Sequence, residues 1–471
     1  MKTYSFYLAG QFIGSDNKIK ISNAYTGDVF AEVSLASEAD LEKAIVAAKN
    51  VEKEMAEMPS WLRSEILLHI VQLLKEEKNT LAEVLCKEAC KPLKLASAEV
   101  DRAIQTFIVA AEEAKRLPKE YICIDWTTAG TGKEGFVKYF PVGLIAGISP
   151  FNFPLNLAVH KIAPAIAAGC PIILKSSSST PLSTLELARL IDKTKLPKGA
   201  ISILPMDRTT GNLLVTDERF KLLTFTGSPE VGWKMKSDAG KKKVVLELGG
   251  NAGVIITKSA NIDKAVDKCV AGGFSYAGQV CIHTQRVYVH GDIFNDFSTR
   301  FVEKTKQLKS GPAESPDTDI SAMIDEKNAI RVEDWVNEAI NGGAKLLCGG
   351  KREGAFYEPT VLTSTKHDMN VSCCEVFGPV VILEPYSDFK TAVEELNNSR
   401  YGLQAGVFTD SISEMDYAFN NIEVGGLMIN EIPTFRMDHM PYGGVKDSGL
   451  GREGVKYAIL DMMEPRLMVK G

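Results

Sequence analysis

The sequence predicts an α/β protein in which two open parallel-sheet domains follow one another along the chain. Two observations predict this class. Residues 37–117 carry apolar residues at the spacing of amphipathic helices, and from residue 143 onward short apolar segments alternate with helical segments or loops. Strands that alternate with helices build parallel sheets covered by helices. Because a second alternating series starts near residue 250, we expect a second domain from that point.

The helical part begins at SEAD (37–40), which resembles a capping box. Three segments with helical apolar spacing follow, and we expect their apolar stripes to pack against a core. These segments are DLEKAIVAAKNVEKEMAEM (40–58), SWLRSEILLHIVQLLKEEKNT (60–80) and SAEVDRAIQTFIVAAEEAKRL (97–117).

Each domain then has its own set of short, apolar predicted strands. The first set is GLIAGIS (143–149), PIILK (171–175), AISILP (200–205), LLTFTG (222–227) and KVVLELGG (243–250). The second set is GVIIT (253–257), RVYVHG (286–291), KLLCGG (345–350), PVVILEP (379–385), AGVFT (405–409) and GGLMIN (425–430). Ligands of an open parallel sheet bind beyond the carboxyl ends of its strands. We therefore expect binding residues within 149–156, 175–181, 227–232 and 247–251.

Composition narrows the class of protein. A length of 471 residues suggests two or three domains, and a net charge of −6 gives no support for binding to nucleic acid or a membrane surface. The longest apolar segment (162–174) is shorter than the ~20 residues of a membrane span. The nine cysteines are widely spaced and lack metal-binding spacing. We expect a cytoplasmic protein with free thiols and no metal.

Three polar residues stand out as candidates for acyl chemistry. Cys281 lies in FSYAGQVCIHTQR (274–286), Glu247 closes an apolar strand before two glycines, and Asn152 lies between two phenylalanines after another strand. Each alone has an ordinary structural explanation. Together they supply a thiol nucleophile, a carboxylate base and an amide donor, which are the groups that acyl chemistry needs.

Several motifs resemble the aldehyde dehydrogenase superfamily, in the order of that family and over nearly the whole chain. They are SPFNFP (149–154), FTGSPEVG (225–232), LELGGN (246–251), FSYAGQVCIHTQR (274–286), EVFGPV (375–380), NNSRYGLQAGVFT (397–409) and PYGGVKDSGLGREG (441–454). FTGSPEVG also suits a phosphate at a helix N-terminus, although the fingerprint GxGxxG is absent.

The resemblance implies three structural parts. These are a Rossmann-like cofactor-binding domain (1–117 and 142–249), a catalytic domain (250–440) and a small β-flap for oligomerisation (118–141 and 459–471). The segments 132–141 and 464–471 have strand-like apolar residues without an evident partner in either domain. Since an unpaired strand edge tends to be covered by another chain, we expect a homodimer or homotetramer.

The resemblance also implies a role for each matching residue. Cys281 attacks the aldehyde carbon, Asn152 and the Cys281 backbone N–H hold the oxyanion, and Glu247 activates the water that hydrolyses the thioester. NAD or NADP accepts the hydride. The implied cofactor-binding residues are Lys175, Ser178, Gly227, Ser228, Glu375, Phe377 and Phe151, which replaces the tryptophan of many members. His283 is interpreted as a polar wall residue, and the cysteine at position 374 has no explanation.

Ser178 bears on the choice of cofactor. Many members have a glutamate at this position, and its charge would repel the 2′-phosphate of NADP. A serine predicts that NADP is used at least as well as NAD. The alternative is that the serines of KSSSSTP (175–181) merely cap the helix that begins near residue 181.

Three residues are candidates for the substrate tunnel: His160, Arg436 and His439. An arginine favours a small polar or anionic aldehyde, such as lactaldehyde, glycolaldehyde, a semialdehyde or a phosphono- or sulfo-aldehyde. The alternative is that Arg436 points to solvent or to a neighbouring subunit. The sequence is most similar in appearance to lactaldehyde-type members.

Two other functions stay open at this point. A CoA-acylating relative would transfer the acyl group to CoA rather than to water, but such members commonly lack the glutamate at position 247. A catalytically inactive relative would be a structural protein on the same fold, and the presence of Cys281, Glu247 and Asn152 together disfavours it.

Overall fold

The structure is a computed structural model that describes residues 1–471. Its strands are β1 (Lys2–Tyr4), β2 (Phe6–Leu8), β3 (Gln11–Ile13), β4 (Lys18–Ser22), β5 (Val29–Ser34), β6 (Lys119–Cys123), β7 (Glu134–Pro141), β8 (Ile145–Ile148), β9 (Ile172–Lys175), β10 (Ile201–Ile203), β11 (Leu222–Thr226), β12 (Lys243–Glu247), β13 (Ala252–Ile256), β14 (Thr284–His290), β15 (Lys345–Cys348), β16 (Arg352–Glu353), β17 (Phe356–Tyr357), β18 (Thr360–Thr363), β19 (Val380–Tyr386), β20 (Tyr401–Gly402), β21 (Gln404–Phe408), β22 (Gly426–Ile429), β23 (Val445–Lys446), β24 (Gly449–Leu450) and β25 (Met463–Lys470).

The α-helices are α1 (Glu38–Glu57), α2 (Ser60–Glu76), α3 (Lys78–Ala89), α4 (Leu93–Glu113), α5 (Pro154–Ala168), α6 (Leu182–Ile191), α7 (Arg208–Thr216), α8 (Pro229–Asp238), α9 (Ile262–Phe274), α10 (Phe294–Thr305), α11 (Glu326–Asn341), α12 (Asn370–Cys373), α13 (Phe389–Asn397), α14 (Ile412–Asn421) and α15 (Val455–Asp461). The predicted capping box is confirmed at the start of α1. The Ser37 hydroxyl accepts from the Asp40 N–H, and the Asp40 carboxylate accepts from the Ser37 N–H.

The first large sheet has eight strands in the order β24-β12-β11-β8-β9-β10-β2-β3. Its five central strands are the five predicted ones, and they pair in parallel. The edges differ from the expected all-parallel sheet, because β24 pairs with β12, and β2 with β10, in antiparallel fashion. Helices α2, α4 and α5 pack over one face, and α1, α7 and α8 over the other. Every residue of α5 is buried.

The second large sheet has seven strands in the order β15-β18-β19-β14-β13-β21-β22. All its pairs are parallel except β15 with β18. Alternate residues of β13 reach opposite faces, as a strand buried on both sides requires. Val254 and Ile256 pack towards α9 and α10, whereas Ile255 packs towards α13 and α14.

The two predicted flap segments pair with each other, away from both large sheets. Strand β7 lies between β6 and β25, and β25 runs antiparallel to β7 from Met463, opposite Pro141, to Lys470, opposite Glu134. The sequence had suggested no partner for either segment, and each is the partner of the other. Strand β25 is an edge strand with exposed Leu467, Met468 and Val469. The sequence also missed the small N-terminal sheet β1-β5-β4.

The way in which the two large sheets meet positions the candidate site. Strand β12 ends at Glu247 and β13 begins at Ala252, so the carboxyl end of the first sheet leads directly into the amino end of the second. Site residues of the second domain therefore precede their strands. Cys281 lies just before β14, and Glu375 and Phe377 lie just before β19. The predicted site residues therefore follow the carboxyl ends of strands in the first sheet and precede the strands in the second. No helix has the length and apolar character needed to cross a membrane.

Candidate active site

Cys281 is placed by a strained loop between α9 and β14. Tyr276 and Ala277 have left-handed φ angles of 49° and 50°, and Gly278 follows with 68°. Non-glycine residues rarely adopt this conformation, and such strain concentrates at functional sites. A side chain at Gly278 would place its Cβ 2.1 Å from the carbonyl oxygen of Gly378. The glycine therefore permits close packing against the segment that precedes β19.

The Cys281 thiol is partly buried beside an apolar cluster that includes Tyr276, Val280, Ile282 and Tyr442. Its Sγ lies 3.0 Å from the Tyr442 hydroxyl. Burial raises the pKa of the thiol to about 11, and the contact with Tyr442 opposes this rise. All nine cysteines are free thiols.

Asn152 lies against the same loop. Its Nδ2 donates to the carbonyl oxygen of Gln279, two residues before Cys281, at 2.9 Å. The backbone carbonyl of Asn152 accepts a hydrogen bond from Lys91 Nζ at 2.6 Å. The backbone N–H of Cys281 has no acceptor within the protein and is free to donate to a ligand. Two donors of the kind that stabilise an oxyanion are thus present, the N–H of Cys281 itself and the Asn152 amide that lies against the same loop.

Glu247 is buried at the end of β12 beside a second carboxylate, Glu453. Its Oε1 accepts from the Glu453 N–H at 3.3 Å, and its buried Oε2 has no hydrogen-bond partner. Burial, reinforced by the charge of Glu453, raises the pKa of Glu247 well above its usual value. A carboxyl group with an unpartnered oxygen and a raised pKa is suited to proton transfer.

Glu453 is as deeply buried, but it has cationic partners. Arg436 Nη2 lies 2.8 Å from Glu453 Oε2, and Lys161 Nζ lies 3.8 Å from Oε1. Burial opposes ionisation of Glu453, yet nearby positive charge outweighs it and lowers its pKa to about 2. The lowering comes from the charges of His160, Arg436 and Lys161 and from the hydrogen bond with the arginine. Sequence reasoning missed Glu453 and Lys161.

A second charged cluster continues from Arg436 to His160, Asp438 and Arg102. Asp438 accepts from Arg102 Nη2 at 2.8 Å and lies 2.9 Å from His160 Nε2. Arg436 Nη2 lies 3.4 Å from the same His160 nitrogen. The Nε of each arginine and the Nδ1 of His160 are buried without a partner. The cluster therefore retains buried polar atoms without a partner, and sequence reasoning missed Arg102.

The three predicted substrate residues have different positions. His160 and Arg436 lie together in this cluster, so the alternative that Arg436 points to solvent or to another subunit is wrong. His439 is exposed and makes no hydrogen bond or ion pair, so the structure does not bring it to the cluster. His283, expected to be a wall residue, is buried and bonds the Gly273 carbonyl through Nε2 at 2.8 Å. Burial lowers its pKa to about 4.

The two glycines that follow Glu247 allow three segments to meet. A Cβ on Gly250 would lie 2.2 Å from the Cys281 carbonyl oxygen, and one on Gly249 would lie 2.3 Å from Glu375 Oε2. Glu375 Oε1 accepts from the Gly250 N–H at 3.0 Å, and burial raises the pKa of Glu375 to about 8. Beyond it, Phe377 has a left-handed φ of 46° and its ring meets Phe151 edge to face at 5.8 Å.

The remaining predicted cofactor residues follow the ends of β9 and β11. Lys175 is partly buried, with its Nζ 3.5 Å from the Ser176 carbonyl, and Ser178 is exposed. Gly227 and the exposed Ser228 precede α8, and the Ser228 side chain does not cap that helix. These residues leave an open helix N-terminus and a lysine along one sheet edge, which fits a dinucleotide.

The serines after Lys175 do not cap the next helix. Helix α6 has Pro181 at its N-cap, without a side-chain cap. Its first N–H groups, those of Leu182 and Ser183, donate to the carboxylate of Glu88 at 2.6 and 3.0 Å. The capping alternative is therefore wrong for Ser178, whose hydroxyl is free.

Comparison with known proteins gives consistent matches. The sequence model described as "Aldehyde dehydrogenase family" matches residues 12–468. The chain is 42% identical to 3-sulfolactaldehyde dehydrogenase from Priestia megaterium over 470 residues, which is 100% of this chain and 98% of that protein. It is 40% identical to lactaldehyde dehydrogenase from Methanococcus aeolicus over 468 residues, covering 98% of this chain and 99% of the other.

Two solved structures are similarly close. The first is aldehyde dehydrogenase 21 from Physcomitrella patens with its reaction product succinate. It has a TM-score of 0.98 and 47% identity, and the match covers 100% of this chain and 98% of that one. The second is glyceraldehyde-3-phosphate dehydrogenase from Methanocaldococcus jannaschii with NADP. Its TM-score is 0.93 at 37% identity, with 97% of this chain and 100% of that one covered. A family match over nearly the whole chain, with relatives and structures at these identities, shows that this chain belongs to the aldehyde dehydrogenase family.

Proposed function

We propose that this NAD(P)-dependent aldehyde dehydrogenase oxidises a short aldehyde that carries an anionic group, with Cys281 as its nucleophile and NADP as its favoured cofactor. The observation that carries the substrate proposal is the cluster of Arg102, Arg436 and His160 around Asp438. The cluster adjoins the thiol, since the Arg436 guanidinium carbon lies 3.7 Å from the ring centroid of Tyr442, whose hydroxyl contacts Cys281.

Cys281 and Asn152 supply the first step. The thiolate forms a bond to the aldehyde carbon, and the carbonyl π electrons move to oxygen. The Asn152 amide and the Cys281 N–H then donate to this oxyanion, a type of contact worth about 10²–10³ in rate. Bound NAD(P) supplies the acceptor for the hydride that leaves the carbon as the carbonyl re-forms. Cys281 is left as a thioester.

Glu247 supplies the second step. Its unpartnered Oε2 is available to a water molecule, from which the carboxylate takes a proton as the water oxygen bonds to the thioester carbon. The C–S bond breaks, Cys281 leaves as the thiolate, the carboxylic acid is released, and the proton on Glu247 passes to solvent. The burial that raises the pKa of Glu247 makes it a stronger base than an exposed carboxylate once it is ionised.

The guanidinium groups of this cluster favour an anionic substrate. A guanidinium donates two parallel N–H groups to a carboxylate or sulfonate, and both arginines retain an unpartnered Nε. Asp438 pairs with Arg102 and Glu453 pairs with Arg436, so an anionic substrate would be recognised by the remaining guanidinium N–H donors rather than by a net positive charge. The product bound to the moss enzyme, succinate, and the substrate named for the Priestia enzyme, sulfolactaldehyde, both carry such a group.

The residues that follow β9 and β11 at the carboxyl edge of the first sheet, here called the cofactor edge, favour NADP. No carboxylate stands at position 178, and the exposed Ser178 hydroxyl can donate to a phosphate oxygen. Burial lowers the pKa of Lys175, the carboxylate of Asp207 opposes this lowering and the charge of Arg208 adds to it, so one anion and one further cation lie near the lysine. The open N-terminus of α8 behind Ser228 suits the pyrophosphate, and Glu375 and Phe377 suit the nicotinamide end.

The assembly is also a proposal. We assign 1–117 and 142–249 to cofactor binding, 250–440 to catalysis and 118–141 with 459–471 to a flap that pairs subunits in a cytoplasmic homodimer or homotetramer. The exposed apolar residues of edge strand β25 support the pairing. Two elements lie at the boundary between the catalytic range and the C-terminal flap range. Strand β24 pairs with β12 of the first sheet, and α15 packs against the helices of that sheet. Light scattering at micromolar concentration tests the assembly, and a monomer would contradict it.

The experiment that tests the proposed function measures kcat/KM for a matched panel of aldehydes. Succinate semialdehyde and 3-sulfolactaldehyde represent anionic substrates, and butanal and lactaldehyde represent neutral ones. Each is measured with NADP and with NAD, in the presence and absence of CoA. We expect the highest kcat/KM for an anionic aldehyde with NADP, and free acid as the product. Equal values for butanal and succinate semialdehyde would contradict the substrate proposal, and acyl-CoA as the product would contradict hydrolysis.

A further inference from the structure

The contact between Tyr442 and Cys281 joins two groups that have no other polar partner. The Tyr442 hydroxyl and the Cys281 Sγ are 3.0 Å apart, and neither atom makes a second hydrogen bond within the protein. Tyr442 is only 3% exposed. A buried tyrosine hydroxyl is normally hydrogen-bonded, because leaving it unpaired is costly. The sulfur is therefore the partner of this hydroxyl.

The direction of the hydrogen bond follows from the protonation states. A neutral thiol can donate to a phenol or accept from it, but a thiolate has no proton and can only accept. Burial, reinforced by the charge on Cys281, raises the pKa of Tyr442 well above its usual value. The phenol therefore keeps its proton when Cys281 ionises, and it is then the donor.

We propose that Tyr442 is a catalytic residue whose hydroxyl donates a hydrogen bond to the ionised Sγ of Cys281 and so stabilises the attacking form of the nucleophile. The proposal rests on the role proposed for Cys281. It adds a donor that touches the reacting sulfur from a segment 161 residues further along the chain.

The charged groups around Cys281 explain why such a donor matters. Burial most strongly disfavours the thiolate, and the carboxylates of Glu375, before β19, and Glu247, at the end of β12, add to that effect. Arg436 favours the thiolate, but it is paired with Glu453. The Tyr442 hydroxyl is the one direct hydrogen bond to the sulfur. Hydrogen bonds to charged groups are among the strongest that proteins make.

Arg436 also makes the phenol a better donor. Its guanidinium carbon lies 3.7 Å from the centroid of the Tyr442 ring, in a cation–π arrangement. This positive charge opposes the rise in the pKa of Tyr442, so the phenol is more acidic and its O–H is a stronger donor to Cys281. The same arginine that we assign to the substrate therefore also acts on the nucleophile through the tyrosine ring.

The test is the pH dependence of alkylation of Cys281 by iodoacetamide, without aldehyde or cofactor. The sulfur bonds to the reagent carbon, iodide leaves, and the thiol proton passes to solvent. The rate is read from the mass of the peptide that contains Cys281. Because the thiolate is the reactive form, the inflection of the rate against pH reports its stability. In Tyr442→Phe we expect the inflection to rise by about one pH unit, with about tenfold slower alkylation below it.

A matched control separates the hydrogen bond from packing. Tyr276 belongs to the same apolar cluster, but its hydroxyl donates to the Ala89 carbonyl at 2.9 Å and not to the sulfur. Tyr276→Phe should leave the inflection where it is in the unmodified protein. An unchanged inflection in Tyr442→Phe, or an equal shift in both variants, would overturn the proposal.

A second measurement keeps the proposal testable if Tyr442→Phe folds poorly by circular dichroism. The unmodified sequence is produced with ring-fluorinated tyrosine, whose phenol is more acidic and therefore a stronger donor. The inflection should then move to lower pH, and no movement would overturn the proposal. A protein whose Cys281 is not alkylated at any pH would instead contradict the nucleophile role itself, so the two failures are distinguishable.

Discussion

The cofactor edge and the aldehyde side of the site differ in how their charges are arranged. Along the cofactor edge, which is the carboxyl edge of the first sheet, Ser178 and Ser228 are exposed. Lys175 is half-buried and has no ion-pair partner. On the aldehyde side, Glu453 and Arg436 are paired and buried. An open edge can change its ligand preference by one substitution. A buried charge network cannot lose a member without affecting stability, protonation and catalysis together.

The largest loss of activity is expected at Glu247, the buried carboxylate that lacks a cation partner. Glu247→Gln removes the base and keeps the volume, so we expect kcat to fall about 10²–10⁴-fold while the first turnover stays fast. A burst of reduced cofactor in rapid-mixing absorbance measurements then reports the accumulated thioester. Normal steady-state turnover by the variant would remove Glu247 from the mechanism.

The pH dependence of stability in the same variant tests whether Glu247 is protonated in the folded protein. Because the folded protein raises the pKa of Glu247, the folded state holds this proton more tightly than the unfolded state does. Stability therefore decreases as the pH rises above the usual value of 4.5 towards the raised pKa. Tm measured from pH 5 to pH 8 should fall less in Glu247→Gln than in the unmodified protein. Parallel Tm curves would show that the group is not protonated in the fold.

The contribution of Glu453 to stability should change with pH in the opposite direction. Its pKa is lowered to about 2, so its contribution to stability is fully present above its usual value of 4.5 and is lost as the pH falls towards 2. Glu453→Gln leaves two buried cations without their carboxylate, and breaking such a pair costs about 3–5 kcal/mol of unfolding free energy. Urea unfolding at pH 7 measures this loss. A cost below about 1 kcal/mol would mean that the charges are solvated rather than buried.

These two carboxylates also show what the sequence could predict. Glu247 was identified because a local pattern marks it, since it closes an apolar strand before two glycines. Glu453, Lys161 and Arg102 have no such local mark, and their roles come from contacts between distant segments. Arg102 and Asp438, for example, are 336 residues apart. The five central strands of the first sheet were predicted for the same reason as Glu247, because each is a continuous apolar run.

The failures have equally physical causes. His439 was expected beside Arg436 because both lie in one loop, but loop side chains three residues apart need not share a direction, and His439 faces solvent. The position of Cys281 at an amino end of the second sheet depends on how the two sheets face each other. That arrangement is a property of tertiary packing that no single motif contains.

A smaller effect is expected at the edge of the buried network, where the substrate enters. Arg102→Met should raise KM about tenfold for succinate semialdehyde and leave butanal unchanged, because only the anionic group uses the guanidinium. Arg102→Lys should restore part of the loss, since it keeps the charge without the two-pronged geometry. His439→Ala, an exposed residue three positions after Arg436, is the control and should change neither value. An equal rise in KM for both aldehydes would point to packing rather than charge.

An effect of similar size, confined to the choice of cofactor, is expected at the open cofactor edge. Ser178→Glu places a carboxylate where the 2′-phosphate of NADP is proposed to bind, and kcat/KM with NADP should fall at least about tenfold, or ~1.4 kcal/mol. The value with NAD should be spared, and the Tm should not change, because the position is exposed. Ser179→Glu, one residue further on and also exposed, is the matched control. An unchanged NADP-to-NAD ratio in Ser178→Glu would show that this position does not govern the choice.

The most direct test of the whole account is to identify the covalent intermediate. Glu247→Gln is mixed with succinate semialdehyde and NADP, quenched in acid within the burst, digested and analysed by mass spectrometry. We predict that the peptide containing Cys281 gains the mass of one succinyl group, in amounts that match the burst of NADPH. The double variant Glu247→Gln/Cys281→Ser should show neither the adduct nor the burst. An adduct on another cysteine, or a full burst without any adduct, would contradict Cys281 as the nucleophile.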